Sequence, residues 1–256
     1  MAIAEFHFNA TRSLQKMTSA TVIVPENKPG PFPVWYLLHG LSDNHTAWTR
    51  RTSLERYVSN FPVIVVMPNG ERGFYTDGPN PPHLYESHIV RDMVEFVDAT
   101  FKTVADREHR VISGLSMGGY GALKLALKNG GKFGACVSHS GAVTFGHGSL
   151  ADADLPEDRK WLSEFRAIFG DNPRGGDNDI FALAAKISRE KLPQIRIDCG
   201  VDDFLIEENR EMHNYLEHIG VPHEYQEFPG EHNWEYWDKH VQDSIKFFAK
   251  YLKLEV

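Results

Sequence analysis

The chain has little with which to cross-link itself or to bind a polyanion. Only two cysteines, Cys136 and Cys199, occur in 256 residues, each inside an apolar run that reads as a strand. That argues against a disulfide framework and predicts two buried free thiols. No apolar stretch approaches the ~20 residues that a membrane helix needs, so no membrane is expected as a partner. Lysine and arginine form no cluster, and the net charge is −8, so a nucleic-acid surface is not expected either. The opening "MAIAEFHFNATRSLQ" lacks the basic start and apolar core of a signal peptide, which makes the cytoplasm the expected compartment. The spacings HExxH, CxxC and GxxxxGK[ST] are missing. The run "GLSMGGYG" has G-x-x-G spacing but lacks the G-x-G start of a dinucleotide loop. Neither a metal nor a cofactor is expected.

What is present is alternation. Strand-like runs read "TVIVPE" (21–26), "PVWYLLHG" (33–40), "PVIVVMPNG" (62–70), "HRVISGLS" (109–116), "GACVSHSG" (134–141), "QIRIDCG" (194–200) and "HEYQEFPG" (223–230). The segment before the first run is expected to form an antiparallel edge hairpin with it. Several runs are continuously apolar, as parallel strands covered on both faces must be. Helical spacing falls between them, over Tyr85–Thr103, Met117–Lys128, Glu207–Ile219 and Trp234–Leu252. The expected fold is α/β: a mostly parallel, doubly wound sheet flanked by helices, in one domain over 1–256. Residues 144–193 are long for one crossover and carry a helical stripe of Trp161, Phe165, Ile168 and Phe169. They are expected to be a small cap-like insertion above the sheet.

The stretch "VISGLSMGGYGA" (111–122) surrounds one serine with four glycines and an alanine. Glycine normally weakens an element. G-x-S-x-G between a strand and a helix has a reason for it: the serine sits on a sharp, strained turn with its hydroxyl pushed out at the top of the sheet. Gly114 and Gly118 leave room for that turn, and Gly119 and Gly121 let the following helix pack against the sheet. The helix N-terminus also suits a developing oxyanion.

A serine hydroxyl is a poor nucleophile until a base takes its proton, and the base needs an orienting acid. On this fold the acid and the histidine follow later strands, in that order. "IDCGVDDFL" offers Asp202 and Asp203, and "FPGEHNWEYW" offers His232 before the last helix. With 13 histidines in the chain, position decides: His39 and His139 also stand near strand ends, while His109, His213 and His240 are expected at the surface. The oxyanion donors are expected at the N–H of Leu41, in the loop after "VWYLL", and of Met117, after the serine. Trp48, in that same loop, is the expected substrate-binding aromatic, ahead of Phe74, Tyr75 and the aromatics of 161–169.

The stretches "YLLHGLSDNHTAW", "VVMPNGERGFYTD", "ISGLSMGGYGA", "CGVDDFL" and "PGEHNWEYW" together resemble the esterase D-like branch of the α/β-hydrolases. The similarity lies nearest to its tributyrin, feruloyl and acetyl-xylan esterases and extends over Tyr36 to Trp237. The resemblance places the nucleophile on Ser116, the acid on Asp203 and the base on His232. It departs from esterase D in having Tyr120 where that group has histidine after "SMGG", and in lacking a "DQG" run before the acid. Both departures count against a glutathione thioester. The implied activity is a serine carboxylesterase acting on short-chain acyl esters, or on acylated carbohydrates or phenols, through an acyl-enzyme. The alternatives are S-formylglutathione hydrolysis, acyl transfer to an alcohol, or ligand binding without catalysis.

Overall fold

Mostly continuous apolar runs separated by helices build one sheet. In a computed structural model, which describes residues 1–26, 28–79, 81–148 and 160–255, the strands are β1 (Ala2–Ala10), β2 (Lys16–Val24), β3 (Val34–Leu38), β4 (Ile64–Pro68), β5 (Arg110–Leu115), β6 (Ala135–His139), β7 (Gln194–Gly200) and β8 (Glu224–Phe228). Their order is β1-β2-β4-β3-β5-β6-β7-β8. β1 and β2 pair as an antiparallel hairpin from Ala2↔Val24 to Ala10↔Lys16, and β2 runs antiparallel to β4. Every pairing from β4 through β3 to β8 is parallel.

The helices are α1 (Ala47–Arg51), α2 (Leu54–Tyr57), α3 (Tyr85–Ser87), α4 (Val94–Thr100), α5 (Met117–Lys128), α6 (Lys160–Phe169), α7 (Ile180–Lys186), α8 (Ile206–His218) and α9 (Trp234–Leu252). β3 shows how they cover the sheet. Val34, Tyr36 and Leu38 join one core with residues of α4, α5 and α8. Trp35 and Leu37 join the other, with Trp48 of α1, Leu54 of α2 and Trp237, Val241 and Phe248 of α9. Burial on both faces is what makes the strand read as continuously apolar. The outer strand β1 instead alternates exposed and half-buried residues.

The structure departs from the sequence reading in a few places. The helix expected over 85–103 ends at Thr100, because Phe101 turns extended (φ −115°, ψ 158°) and Thr103 bridges to Phe32. Its middle, His88–Met93, is π-helical. His240 is buried and not at the surface; its ring stacks on Phe228 at 4.2 Å. Cys136 and Cys199 are free and buried, and burial pushes both thiols up in pKa. Residues 149–159 and the side chain of Trp161 lie outside the described residues. No helix among those described is long and apolar enough to cross a membrane. The parallel register puts the carboxyl ends of β3, β5, β7 and β8 on one edge of the sheet, where open α/β sheets gather their ligands.

Candidate active site

Ser116 joins β5 to α5 in a conformation that L-residues avoid, φ 53° and ψ −116°. Such a residue costs about 1–3 kcal/mol and persists only where its neighbours over-determine it. Its N–H donates to His139 O (2.9 Å), and its carbonyl accepts from Tyr120 N (3.0 Å) and Ala142 N (3.1 Å). The glycines make this crowding possible. A Cβ on Gly114 would sit 2.5 Å from Gly118 C and O, and one on Gly118 would sit 2.6 Å from Leu38 O. Any side chain at either position would drive β5, α5 and the end of β3 apart.

The loops after β7 and β8 are tied together in the same way. Asp202 N donates to Gly230 O (3.0 Å) and Val201 N to Phe228 O (2.8 Å). Gly230 adopts φ 147°, and a Cβ on Gly200 would lie 2.3 Å from its carbonyl oxygen. Asn233 caps α9 by accepting from Tyr236 N (3.0 Å), which leaves His232 one residue outside the helix. There its Nδ1 faces the Asp203 carboxylate (2.9 and 3.0 Å) and its Nε2 faces Ser116 Oγ (3.0 Å). A proton on Nδ1 donated to Asp203 leaves the Nε2 lone pair to accept from the serine hydroxyl. Burial pushes the Asp203 carboxyl up. The hydrogen bonds from His232 and Leu205 N–H, with the charge of His232, outweigh that and hold it below the ordinary carboxylate range. Asp202 is exposed, and among the described residues no hydrogen bond joins its side chain to His232 or Ser116.

The loop after β3 is held from every side. The His39 ring accepts from Gly70 N–H at Nε2 (2.9 Å), so its Nδ1 donates to Gly40 O (2.8 Å). Burial lowers His39 to a pKa of about 4, so the ring is neutral. Tyr75 Oη donates to His39 O (3.0 Å), and its ring lies where Cβ atoms on Gly70 and Gly121 would be. The buried Lys124 of α5 donates to Tyr75 O (3.0 Å) and pairs with Glu86 (2.7 Å). Among the described residues, neither Leu41 N–H nor Met117 N–H donates to a protein acceptor. Both therefore remain available to a ligand oxygen.

Trp48 is a correction. Its indole is 0% exposed and packs edge-on to Trp234 (5.2 Å), and its N–H donates to Leu38 O (3.0 Å). It props the loop from beneath and does not line a cleft, because the short α1 turns it into the core. Phe74, Tyr75, Phe165 and Phe169 are buried as well.

Sequence reading missed two features. One is a second Ser–His–Asp set, wholly buried: His139 Nδ1 faces Asp198 (2.9 Å) and its Nε2 faces Ser244 Oγ (2.7 Å). Its place behind the Ser116 N–H makes it a support for the turn. The other is Phe204, which stands exposed beside His232; its adjacency to the acid in "DDFL" was the available signal.

Residues 11–248 match the family described as "Putative esterase". The chain is 31% identical to an acetyl esterase of Caldicellulosiruptor saccharolyticus, over 98% of this chain and 99% of that protein. Its fold superposes on the fluorophosphonate-binding serine hydrolase F of Staphylococcus aureus, solved with substrate bound, with a TM-score of 0.84 at 30% identity, covering 97% and 98% of the two chains. An S-formylglutathione hydrolase of the same organism gives 0.83 at 30% identity, with the same coverage. An α/β-hydrolase sheet with a serine on its elbow, matched to this family over most of its length, has one consistent reading: the chain belongs to the putative esterase family and is a serine ester hydrolase.

Proposed function

We propose that the protein is a carboxylesterase for short-chain acyl esters whose nucleophile is Ser116, with His232 as base and Asp203 as its orienting acid. The observation that carries this reading is the unbroken line from Asp203 through His232 to Ser116 Oγ at 2.9–3.0 Å. Ser116 Oγ attacks the ester carbonyl while His232 Nε2 takes its proton. The N–H groups of Leu41 and Met117 receive the oxyanion. His232 then protonates the departing alcohol, and water repeats the sequence on the acyl-enzyme.

The described residues of the 144–193 segment act as a small cap on a single domain. Supporting this, Phe165 and Phe169 pack on Phe74, Tyr120 Oη donates to Asn178 O (2.6 Å), and Arg72 joins Glu164 (2.7 Å) to Ser42 beside Leu41 (3.1 Å). A cap this small favours small, soluble esters. Acetyl is the favoured acyl group, in keeping with the acetyl esterase relative, and the cytoplasm is the proposed compartment. The test is p-nitrophenyl esters of graded length with wild type and Ser116→Ala. Acetyl to butyryl esters should exceed decanoyl in kcat/KM, and an organophosphate should leave one adduct on the Ser116 peptide. Activity retained by Ser116→Ala would refute the assignment, and rates climbing through C10 would refute the short pocket.

A further inference from the structure

The imidazole of His232 has two aromatic neighbours. Trp237 stands perpendicular to it at 4.9 Å, buried, with its N–H directed at Ser140 Oγ (3.3 Å). Phe204 lies 4.5 Å from it, tilted by 47°, and is 76% exposed. Single exposed apolar residues are ordinary. Phe204 differs in its position: of the large hydrophobics exposed among the described residues, Ile3, Met17, Val201 and Phe204, it is the one aromatic, and it follows Asp203 directly.

When the tetrahedral intermediate collapses, the bond from the carbonyl carbon to the alcohol oxygen breaks. Its electron pair stays on that oxygen, and the proton on His232 Nε2 passes to it. The alcohol oxygen must then lie about 2.6–3.2 Å from Nε2, so the group it carries runs alongside the imidazole. The acyl group is held on the other side of the carbonyl, whose oxygen points to Leu41 and Met117. We propose that Phe204 is the wall against which the leaving alcohol lies, and that it selects uncharged alcohols with a flat apolar face, phenols above all. This rests on the reading of Ser116 and His232 given above. The rim supports the charge preference: Asp202 and Glu231, adjacent in the chain to Asp203 and His232, are exposed carboxylates. They disfavour an anionic alcohol near the site at low salt.

The test compares phenyl acetate, ethyl acetate and 4-acetoxybenzoate on wild type, Phe204→Ala and Phe204→Trp. All three esters give one acetyl-enzyme. Their intrinsic reactivities cancel when each variant is divided by wild type. kcat/KM for phenyl acetate should fall roughly three- to tenfold in Phe204→Ala, the range that an aromatic contact supplies. Ethyl acetate should change less than twofold, and Phe204→Trp should keep the phenyl preference. The deacylation rate after a p-nitrophenyl acetate burst should not move, because the alcohol has left by then. Wild type should also prefer phenyl acetate to 4-acetoxybenzoate, and Asp202→Asn should narrow that gap at low salt. Equal losses on phenyl and ethyl acetate, or slower deacylation, would overturn the proposal by placing Phe204 on the acyl side or behind His232. Activity surviving in Ser116→Ala would instead remove the reading beneath it, so the two failures are distinguishable.

Discussion

Asp202 and Asp203 are chemically identical neighbours that differ in surroundings alone. Asp203 is 2% exposed and meets His232 and Leu205 N–H, while Asp202 faces solvent. Asparagine at Asp203 would present an amide to Nδ1 and favour the wrong tautomer, so Asp203→Asn should lower kcat by about 10⁴. Asp202→Asn should leave most of kcat and change stability by less than ~0.5 kcal/mol. Steady-state kinetics on p-nitrophenyl acetate decides between them, and the reverse order would move the acid to Asp202. The residues alone could name the pair but not the member, because the direction of a loop side chain is set by contacts 29 positions away, at His232. Histidine was legible in the same partial way. Strand ends singled out His39, His139 and His232. Burial then separates them, since His39 and His139 spend both ring nitrogens inside the protein and His232 keeps 15% of its side chain exposed.

Among the elements, α5 and α9 could be read to the residue: α9 through its long amphipathic period, and α5, buried along almost its whole length, through the strand and glycine-rich turn that open it. The short α1 and α2 give no such period, and Trp48 was misplaced for that reason. The glycines of "GLSMGGYGA" were readable as a need for space, but what fills the space was not. At Gly121 it is the Tyr75 ring, from a loop 46 residues earlier, at 2.4 Å from a hypothetical Cβ. Gly121→Ala must move that ring and with it the hydroxyl that holds His39 O. We expect a loss of about 1–3 kcal/mol, as overpacking costs, together with a lower kcat. Gly131, where nothing lies within 4 Å of a Cβ, should accept alanine without loss of either. Urea unfolding and kinetics on both variants check this, and equal behaviour would mean that Tyr75 adapts freely.

For the whole molecule, the doubly covered sheet buries groups that must stay neutral. His88 is buried, stacks against Phe8, and has no hydrogen-bond partner for either ring nitrogen among the described residues. Burial holds it near pKa 4, as it does His39. Both folded values lie below the ordinary 6.5, so the unfolded chain takes up protons first. Their stabilising effect is full above pH 6.5 and is lost as the pH falls from 6.5 through 4. Each histidine should withdraw about 2 kcal/mol between pH 7 and pH 5. His88→Leu should therefore gain about 2 kcal/mol on wild type over that interval, read from urea midpoints at the two pH values. A constant difference would show that His88 titrates as it does in the open chain.

The sheet order has a consequence for how the protein is made. Ser116 ends β5, but Asp203 and His232 follow β7 and β8, and α9 closes the face around Trp35 only after them. A ribosome delivering about 5–20 residues per second exposes the serine roughly 6–23 s before the histidine proposed to activate it. During that interval the nascent chain carries an unreactive hydroxyl. On the proposed mechanism, the order of the strands delays acylation of the serine until the loop after β8 has emerged.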